Sequence, residues 1–371
     1  MKVIIAAAGT GGHINPGIAI ANIIEKENPG SDIRFIATGK KLEEDLISKA
    51  GYKSYAINAY GFSPKPTISN IRKMIKTLKG FGEAKKILKE FKPDIVIGTG
   101  GYICGAVIWS AKKLGIPTIL HESNAYPGLA IRMLAKKTDT ILVGIEEAKN
   151  SLKKAKRVVY TGTPTKVKPL NLTDSDKMRI ISNLGISSSL PIVLVFGGSQ
   201  GAKRINDCII GILKEKLNKN YQIVWSTGAE QFDYIKEELK NDEIDIENVT
   251  NAKVLPYIYN MDEVMSISSL VVARSGALTL TELALLGKPA IFIPLPSSTA
   301  NRQEDNARVF EKNGAAKIIL NNEVTSDKLN GMIDEIVSNN EELNRMSLAA
   351  KGMAIYDVED RIYNEIKRLV G

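Results

Sequence analysis

The sequence predicts an α/β protein built from two doubly wound domains, each with a parallel sheet. Short apolar, β-branched runs alternate with amphipathic helical patterns along the whole chain, which is typical of parallel strands covered by helices on both faces. A unit of strand, glycine-rich loop and helix occurs twice, over residues 3–12 and again over 192–201. A length of 371 residues also exceeds what one hydrophobic core usually serves.

Ten segments are expected to form the strands of these sheets. They are short, rich in apolar and β-branched residues, and separated by helical patterns. They are Val3–Ala8, Ile33–Ala37, Asp94–Ile97, Thr118–His121, Thr140–Val143, Ile192–Phe196, Gln222–Ser226, Lys253–Leu255, Leu270–Ala273 and Ala290–Ile293. This pattern excludes an all-α and an all-β fold.

The boundary between the domains is expected at the segment Thr161–Pro169. Its prolines end regular structure and stiffen the chain, as in a hinge. We therefore predict a first domain over residues 1–163 and a second over residues 164–340. The final helical stretch, residues 341–371, is expected to cross back and brace the first domain.

The composition indicates a globular protein with an anionic partner. The chain is 44% hydrophobic and 25% charged, and its formal net charge is +9. Nucleic acid is excluded as the partner, because the chain has no Arg-rich arm, no zinc-ligand spacing and no aromatic–basic RNA motif. A phosphorylated substrate and a membrane surface remain. The two cysteines, Cys104 and Cys208, are expected to be reduced and mostly buried.

The apolar run at the start of the chain, Val3–Ala8, is expected to be the first strand. It is shorter than the roughly 7–15 apolar residues of a signal peptide, and a glycine loop follows it at once. Nowhere does the sequence approach the roughly 18 consecutive apolar residues that span a bilayer. We therefore expect an intracellular protein whose contact with a membrane is peripheral.

Four loops are suited to binding phosphate: Gly9–Gly12, Gly98–Gly101, Gly197–Gly201 and Arg274–Ala277. Each follows an expected strand and precedes an expected helix. Glycines allow main-chain amides to approach an anion, and a helix N-terminus carries about half a positive charge. One such loop also fits a tight turn, but four at the carboxyl ends of strands favour a phosphate-bearing substrate.

Other phosphate-binding and metal-binding classes fit less well. A dinucleotide site needs a small residue where Ile14 stands and an acid where the second strand runs into Thr38. No glycine loop ends in Gly-Lys-Ser/Thr, so Walker A is absent. The segment Asp174-Ser175-Asp176 matches a metal-binding D-x-D pattern, but acids in the first turn of a helix explain it. We expect neither a metal nor a cofactor.

The candidates for acid–base chemistry are few. The chain has two histidines, His13 at the end of the first glycine loop and His121 at the end of a strand. A neutral imidazole at His13 is placed to take a proton from an attacking hydroxyl. His121 and Glu122 are second candidates, with the alternative that they orient their loop. Glu282, on the helix after Ser275-Gly276, suits the two hydroxyls of a ribose.

Six segments carry a resemblance to a known family. They are Gly9–His13 with Pro16-Gly17, Thr99–Tyr102, His121–Asn124, Gly197–Ala202, Arg274–Thr279 and Gln303 to Ala307. They are spread in order over nearly the whole chain, and together they are specific. The sequence resembles the MurG family, the N-acetylglucosaminyltransferases of peptidoglycan synthesis.

The resemblance implies a GT-B architecture, in which two Rossmann-like domains face each other across a cleft. It implies transfer of GlcNAc from UDP-GlcNAc to the 4-hydroxyl of muramyl-pentapeptide-pyrophosphoryl-undecaprenol, with inversion to a β linkage. Such a reaction requires a base on the acceptor oxygen and stabilisation of the UDP leaving group. Helix N-termini, Ser199 and Lys166 can stabilise UDP without a metal.

The resemblance also implies the residues of the site. His13 is the expected base, Glu122 is the second catalytic candidate, and Gly100, Gly101 and Tyr102 are expected at the acceptor pyrophosphate. The donor site is implied at Thr10, Gly11, Gly12, Asn124, Lys166, Ser199, Ile258, Ala277, Leu278, Thr279, Leu280, Thr281, Glu282 and Gln303. The family often has Arg where Lys166 stands, and Lys keeps the charge without the bidentate fork. The segment Pro256–Met261 also lacks the acids of some relatives.

A basic amphipathic stretch, Ile68–Lys92, is expected to meet an anionic membrane surface. It holds eight Lys and Arg residues against two Glu, with apolar residues at helical spacing. The alternative is a helix that packs on its own domain. Since the implied acceptor is a polyprenyl lipid, we expect peripheral attachment to the cytoplasmic side of the cell membrane.

Other activities remain open on the sequence alone. One is a different GT-B transferase that uses a UDP-sugar and a glycolipid acceptor. A UDP-GlcNAc epimerase would consume the donor without an acceptor, and a nucleotide-sugar sensor would bind it without turnover.

Overall fold

The computed structural model describes residues 1–60, 68–187, 189–296 and 301–371, and for residues 68–76 it describes the backbone alone. The chain forms two compact units. The first comprises Met1–Lys166 and Ile355–Gly371, and the second comprises Val167–Ala354. The chain therefore passes from one unit to the other twice.

The first unit contains a seven-stranded parallel sheet in the order β3-β2-β1-β4-β5-β6-β7. Its strands are β1 (Lys2–Ala6), β2 (Asp32–Ala37), β3 (Lys53–Ala56), β4 (Ile95–Gly98), β5 (Thr118–Glu122), β6 (Thr140–Val143) and β7 (Val158–Tyr160). Its first helices are α1 (Gly11–Glu27), α2 (Lys41–Lys49), α3 (Ile68–Phe91), α4 (Ile103–Lys113) and α5 (Leu129–Leu134), with a 3-10 turn at Glu146–Ser151.

The apolar sequence of β1 explains why helices cover both faces of this sheet. Successive side chains of a strand point to opposite faces. Val3 and Ile5 lie in one core cluster, with Ile14 and Ile18 of α1. Ile4 and Ala6 lie in the cluster on the other face. All four β1 side chains are fully buried, so each face of the sheet has its own core.

The second unit repeats this plan with six parallel strands in the order β10-β9-β8-β11-β12-β13. They are β8 (Ile192–Phe196), β9 (Gln222–Ser226), β10 (Ala252–Leu255), β11 (Leu270–Ala273), β12 (Ala290–Phe292) and β13 (Ala316–Ile318). The helices are α6 (Asp174–Leu184), α7 (Lys203–Lys214), α8 (Phe232–Asn241), α9 (Met261–Ile267), α10 (Ala277–Leu286), α11 (Arg302–Lys312), α12 (Ser326–Val337) and α13 (Asn340–Gly352).

The last helix, α14 (Val358–Val370), returns to the first unit. Ile362 and Ile366 are fully buried in the cluster that contains α1. Next to the start of β7, Glu365 accepts hydrogen bonds from Arg157 at 3.0 and 2.6 Å. Of the stretch 341–371, α14 alone packs on the first unit, because α13 belongs to the second unit and packs on α10.

Each of the ten strand segments predicted from the sequence overlaps an observed strand, with ends that differ by one or two residues. The structure adds β3, β7 and β13, which the sequence does not reveal. All three lie at edges of the sheets, and their side chains are largely half-buried or exposed. They therefore lack the uninterrupted apolar pattern that identifies a central strand.

The Asp174-Ser175-Asp176 segment forms the first turn of α6, and Thr173 before it is the N-cap residue. The Thr173 hydroxyl accepts from the Asp176 N–H at 3.1 Å, and the Thr173 N–H donates to the Asp176 carboxylate at 3.0 Å. This reciprocal pair is a capping box, and it confirms the interpretation of these acids as helix-capping residues. Among the residues that the structure describes, none of the helices has the length and apolar character needed to cross a membrane.

Candidate active site

In the first unit, three predicted site loops lie side by side at one edge of the sheet. Strands β1, β4 and β5 are neighbours, and all strands are parallel, so the loops that follow them meet at their carboxyl ends. These loops are Gly9–His13, Thr99–Tyr102 and Ser123–Gly128. The strand order reverses between β1 and β4, which is the position where open α/β sheets bind ligands.

The first two loops interlock through direct contacts. The Thr99 hydroxyl donates to the His13 carbonyl at 2.7 Å, and the Thr99 N–H donates to the Ala6 carbonyl at 3.0 Å. The His13 ring lies against Gly100, where an added Cβ would stand 2.3 Å from Nδ1. Gly100 has φ +118°, so glycine is required there both by its backbone and by the imidazole above it.

His13 lies in the first turn of α1, and its side chain is half-buried. Thr10 is the N-cap residue, and its carbonyl accepts from the His13 N–H at 3.0 Å. The amides of Gly11 and Gly12 belong to the turn whose N–H groups have no acceptor within a helix. The arrangement therefore places main-chain donors and an imidazole on the same short segment.

The Glu122 carboxylate holds its own loop. It is 5% exposed, its Oε1 accepts from the main-chain and side-chain nitrogens of Asn124 at 2.9 Å each, and its Oε2 accepts from the Gly128 N–H at 2.7 Å. Three donated hydrogen bonds thus engage both carboxylate oxygens with atoms of the same loop. The geometry favours the loop-orienting role that the sequence left open for this residue.

His121 is fully buried and lies beneath that loop. Its Nε2 is 3.3 Å from the Gly162 carbonyl, and its Nδ1 is 3.5 Å from the Ser123 hydroxyl. Burial lowers the pKa of His121 below its usual range, so the ring is neutral. His13 is thus the histidine that a substrate can reach.

Both cysteines are free thiols and are buried, as the sequence predicts. The Cys104 thiol donates to the Gly100 carbonyl at 3.1 Å and supports the second glycine loop from below. Burial raises the pKa of Cys104 to about 12 and that of Cys208 to about 11. Both therefore stay protonated and chemically inert at neutral pH.

In the second unit, the loop Gly197–Gly201 follows β8 at the corresponding switch point, beside β11. Ser199 is exposed in this loop. Gly201 has φ +79°, and an added Cβ would stand 2.1 Å from the Thr227 carbonyl. The Gln231 amide donates to the Gln200 carbonyl at 3.2 Å, which ties the loop to the start of α8. The main chain is thereby fixed in a conformation suited to an anion.

A buried amide supports this loop from within the unit. Asn206 donates to the Thr227 carbonyl at 2.9 Å and to the Gln231 side chain at 2.8 Å, while Trp225 donates to Asn206 at 3.0 Å. The sequence does not reveal Asn206, Gln231 or Trp225 as supporting residues, because an amide or indole on a helix or strand carries no signal of its own.

The Arg274 side chain donates its hydrogen bonds to other residues of the second unit. One of its terminal nitrogens, Nη1, donates to the carbonyls of Ile293 and Pro294 at 2.8 and 3.0 Å, and to Asn321 at 2.8 Å. Burial lowers the pKa of Arg274 to about 10, which leaves it charged at neutral pH. The side chain therefore anchors the segment after β12 to the loop that begins α10.

The residues predicted at the start of α10 divide into three groups. Ala277, Leu278 and Thr279 form its first turn, where N–H groups have no helical acceptor. Leu280 is 2% exposed, and the Thr281 hydroxyl donates to the Ala277 carbonyl at 3.1 Å, so neither side chain is turned to a ligand. Glu282 is half-buried in the second turn.

The remaining predicted donor residues are Ile258, Gln303 and Lys166, of which Gln303 lies in the first turn of α11. Ile258 is 3% exposed, and the two tyrosines that flank it in sequence, Tyr257 and Tyr259, are exposed with their rings 5.0 Å apart. Gln303 accepts from the Leu295 N–H at 2.9 Å, which leaves its amide nitrogen as the end that can donate to a ligand. Lys166 is exposed and is the residue at which the chain first leaves the first unit.

Comparison with known proteins identifies the family. The family model "Glycosyltransferase family 28 N-terminal domain" matches residues 3–143, and "Glycosyltransferase family 28 C-terminal domain" matches residues 192–362. The UDP-N-acetylglucosamine--N-acetylmuramyl-(pentapeptide) pyrophosphoryl-undecaprenol N-acetylglucosamine transferase of Ruminiclostridium cellulolyticum is 40% identical over 370 residues, which cover both chains completely. The chain belongs to the MurG family. MurG of Acinetobacter baumannii, at 27% identity, has a TM-score of 0.77 and covers 99% of this chain and 100% of its own.

Membership in the MurG family agrees with the two parallel α/β units, which match the GT-B glycosyltransferases as the sequence predicts. UDP-GlcNAc 2-epimerase of Neisseria meningitidis has a TM-score of 0.65 at 16% identity and covers 99% of this chain and 100% of its own. At this identity the likeness shows the fold alone. Glu43, which contacts the first glycine loop, is a further residue that sequence analysis missed, because on α2 it resembles an ordinary solvated acid.

Proposed function

We propose that this chain transfers GlcNAc from UDP-GlcNAc to the 4-hydroxyl of the muramyl sugar in undecaprenyl-pyrophosphoryl-MurNAc-pentapeptide, with inversion at the anomeric carbon. The observation that carries this proposal is the full-length identity of 40% to a transferase named for these substrates. The glycine loops at the carboxyl edges of both sheets support it, since both substrates are diphosphates.

In this reaction His13 is the general base. Its half-buried imidazole belongs to the first turn of α1 and rests on the Gly100 main chain, which fixes the ring plane. An imidazole held in this way takes the proton from the acceptor hydroxyl as the bond to the anomeric carbon forms. The two glycines beside it, Gly100 and Gly101, with Tyr102, are placed to meet the acceptor pyrophosphate.

The UDP leaving group is stabilised by fixed dipoles and by charge. The first turn of α10 and the loop that carries Ser199 offer main-chain donors, and Lys166 adds a cation. Ile258 contacts the uracil through its main chain, while Glu282 and Gln303 bind the ribose and the sugar. Asn124, held by Glu122, is the donor-site residue of the first unit. No step of this mechanism requires a metal.

The described part of α3 supports docking to a membrane. Phe81, Ala84, Leu88 and Phe91 pack in the core of the unit, whereas the opposite face is exposed. That face carries Leu78, Lys79, Lys85, Lys86 and Lys89, which fall within about a third of the helix circumference at 100° per residue. The helix thus packs on its own domain and still presents a basic face.

Apolar and basic side chains continue along the neighbouring helices α4 and α5. Trp109 packs edge-on against Phe81 at 5.2 Å, and the Lys113 ammonium lies 3.9 Å from the Trp109 ring. Leu129 and Met133 of α5 are 51% and 72% exposed. This surface is suited to anionic lipid at the cytoplasmic side of the cell membrane. The side chains of Arg72, Lys73 and Lys76 lie outside the described residues.

The experiment that tests the reaction uses radiolabelled UDP-GlcNAc and a short-chain lipid-linked muramyl-pentapeptide acceptor, with and without EDTA. We expect label in the lipid phase under both conditions. Consumption of UDP-GlcNAc without acceptor would indicate an epimerase, binding without turnover would indicate a sensor, and transfer only to another glycolipid would indicate a different acceptor. Each of these three results contradicts the proposal.

A further inference from the structure

Glu43 is a carboxylate in the interior of the first unit. It belongs to the first turn of α2 and is 0% exposed, although its neighbours Glu44 and Asp45 are both exposed. Removing a carboxylate from water is costly unless hydrogen bonds satisfy both of its oxygens. The hydrogen bonds of the Glu43 carboxylate therefore indicate the role of this side chain.

The Glu43 carboxylate accepts hydrogen bonds from two segments that follow strands. Its Oε1 accepts from the Gly9 N–H at 2.7 Å, and its Oε2 accepts from the Thr38 N–H at 2.7 Å. The Thr38 hydroxyl is 2.8 Å from both oxygens. Within the described part of the chain, no Lys or Arg side chain pairs with this carboxylate. Main-chain donors thus take the place of a counter-ion.

These bonds fasten the start of the first glycine loop to the end of β2. Gly9 is the first loop residue and has φ +104°. Because a glycine backbone is flexible, it needs a contact from outside to stay in one conformation. Thr38 directly follows β2, whose pairing with β1 fixes its position. The far end of the same loop is held at the His13 carbonyl by Thr99. The segment that carries His13 is therefore fixed at both ends.

We propose that Glu43 is a positioning residue for His13, acting through the Gly9 main chain. This inference rests on the proposed transfer reaction, in which His13 meets the acceptor hydroxyl. Releasing Gly9 lets the turn Thr10–Gly12 shift and moves the imidazole away from its place over Gly100. A displacement of about 1 Å at a reacting group lowers a rate by about 100-fold.

The test variant is Glu43→Gln, which keeps the shape of the side chain. An amide has one acceptor oxygen, so its NH₂ group must face either the Gly9 N–H or the Thr38 N–H, and one of the two bonds is lost. We expect kcat to fall about 10–100-fold, while the Kd for UDP stays within a few-fold of the wild-type value. Hydrogen exchange over residues 9–13 should become faster in the free enzyme.

The matched control is Thr38→Val, which removes the hydroxyl bonded to the same carboxylate but leaves both main-chain bonds in place. We expect it to keep kcat and the slow exchange of residues 9–13. If Glu43→Gln yields too little folded protein, Glu43→Asp replaces it, since its shorter side chain does not span both N–H groups.

The proposal is overturned by wild-type kcat in the Glu43 variant, or by equal losses of kcat in that variant and in Thr38→Val at equal loss of stability. A wild-type enzyme that transfers no GlcNAc contradicts the proposed function instead. In that case the exchange of residues 9–13 still decides whether Glu43 fixes the loop.

Discussion

At the scale of single residues, the contact between His13 and the second glycine loop defines the candidate base. His13 is half-buried, and its ring lies against the Gly100 main chain. We expect His13→Ala to lower kcat about 10²–10⁴-fold, because that is the usual contribution of general base catalysis. Kinetics with the lipid-linked acceptor measure the effect on kcat, and calorimetric titration with UDP measures the effect on donor binding. Turnover close to the wild-type rate, with intact UDP binding, contradicts the assignment.

Gly100 provides a second test of the same geometry. In Gly100→Ala, the new methyl group would stand 2.3 Å from His13 Nδ1 at a residue with φ +118°. We therefore expect the imidazole to be displaced and kcat to fall nearly as far as in His13→Ala. Gly105→Ala is the control, since a Cβ at that helical position meets nothing within 4 Å. Equal activity of the two variants would show that the imidazole is not fixed by Gly100.

The sequence predicted the types of residue in the site better than their environment. Ser199 lies on the glycine loop after β8, and His13 lies in the first turn of the helix that follows the glycine loop after β1. Gln303 lies in the first turn of α11. The surroundings of Glu43 and Arg274 were not predictable in this way. Whether an acid on a helix is solvated or accepts a hydrogen bond from a glycine depends on contacts distant in sequence.

At the scale of elements, the central strands were predicted because both of their faces are buried, which forces an uninterrupted apolar sequence. The edge strands β3, β7 and β13 were missed because solvent covers part of each. The same argument applies to the bracing stretch 341–371. Both α13 and α14 have helical patterns, and only the contacts of Ile362 and Ile366 reveal which one returns to the first unit.

The end of α9 offers a test of stability against pH. Lys288 donates from its ammonium group to the carbonyls of Ser266 and Ser268 at 2.6 and 2.9 Å. Burial lowers the pKa of Lys288 from 10.5 to about 8. Between these two values the unfolded chain binds the proton and the folded chain does not, so the free energy of unfolding rises with pH.

In Lys288→Met, that contribution to the pH dependence should be absent. From pH 8 to about 10.5, we expect the wild type to gain up to about 3 kcal/mol relative to the variant. Urea unfolding followed by Trp225, which is buried in the second unit, measures the difference at each pH. Parallel curves for the two proteins would show that Lys288 has an ordinary pKa in the folded state.

At the scale of the whole molecule, the return of α14 makes the first unit depend on both ends of the chain. Ile362 is fully buried in the core cluster that contains β1 and α1. Ile362→Ala should destabilise this unit by about 2–5 kcal/mol, as is usual for a buried Ile. Tyr356→Ala is the control, because Tyr356 is 65% exposed. Hydrogen exchange of β1 and α1 measures the effect, and unchanged protection would contradict it.

The proposed docking of the exposed basic face of α3 to an anionic membrane can be tested by charge reversal. Each Lys near an anionic membrane contributes about 1 kcal/mol to binding, and salt screens the attraction. The triple variant Lys79→Glu, Lys85→Glu and Lys89→Glu should therefore bind vesicles rich in anionic lipid at least about 100-fold more weakly. Its turnover of a short-chain acceptor in solution should be unchanged, since the substituted side chains are exposed and lie on the face opposite the core.

A matched triple variant on the second unit, Lys216→Glu, Lys219→Glu and Lys236→Glu, changes the net charge by the same amount. Co-sedimentation with vesicles of graded anionic content separates a local docking face from a general effect of charge. If both variants lose binding equally, the net charge of +9 is responsible, and α3 has no special part. If the α3 variant alone loses binding, the basic face is the surface through which the enzyme reaches its lipid substrate.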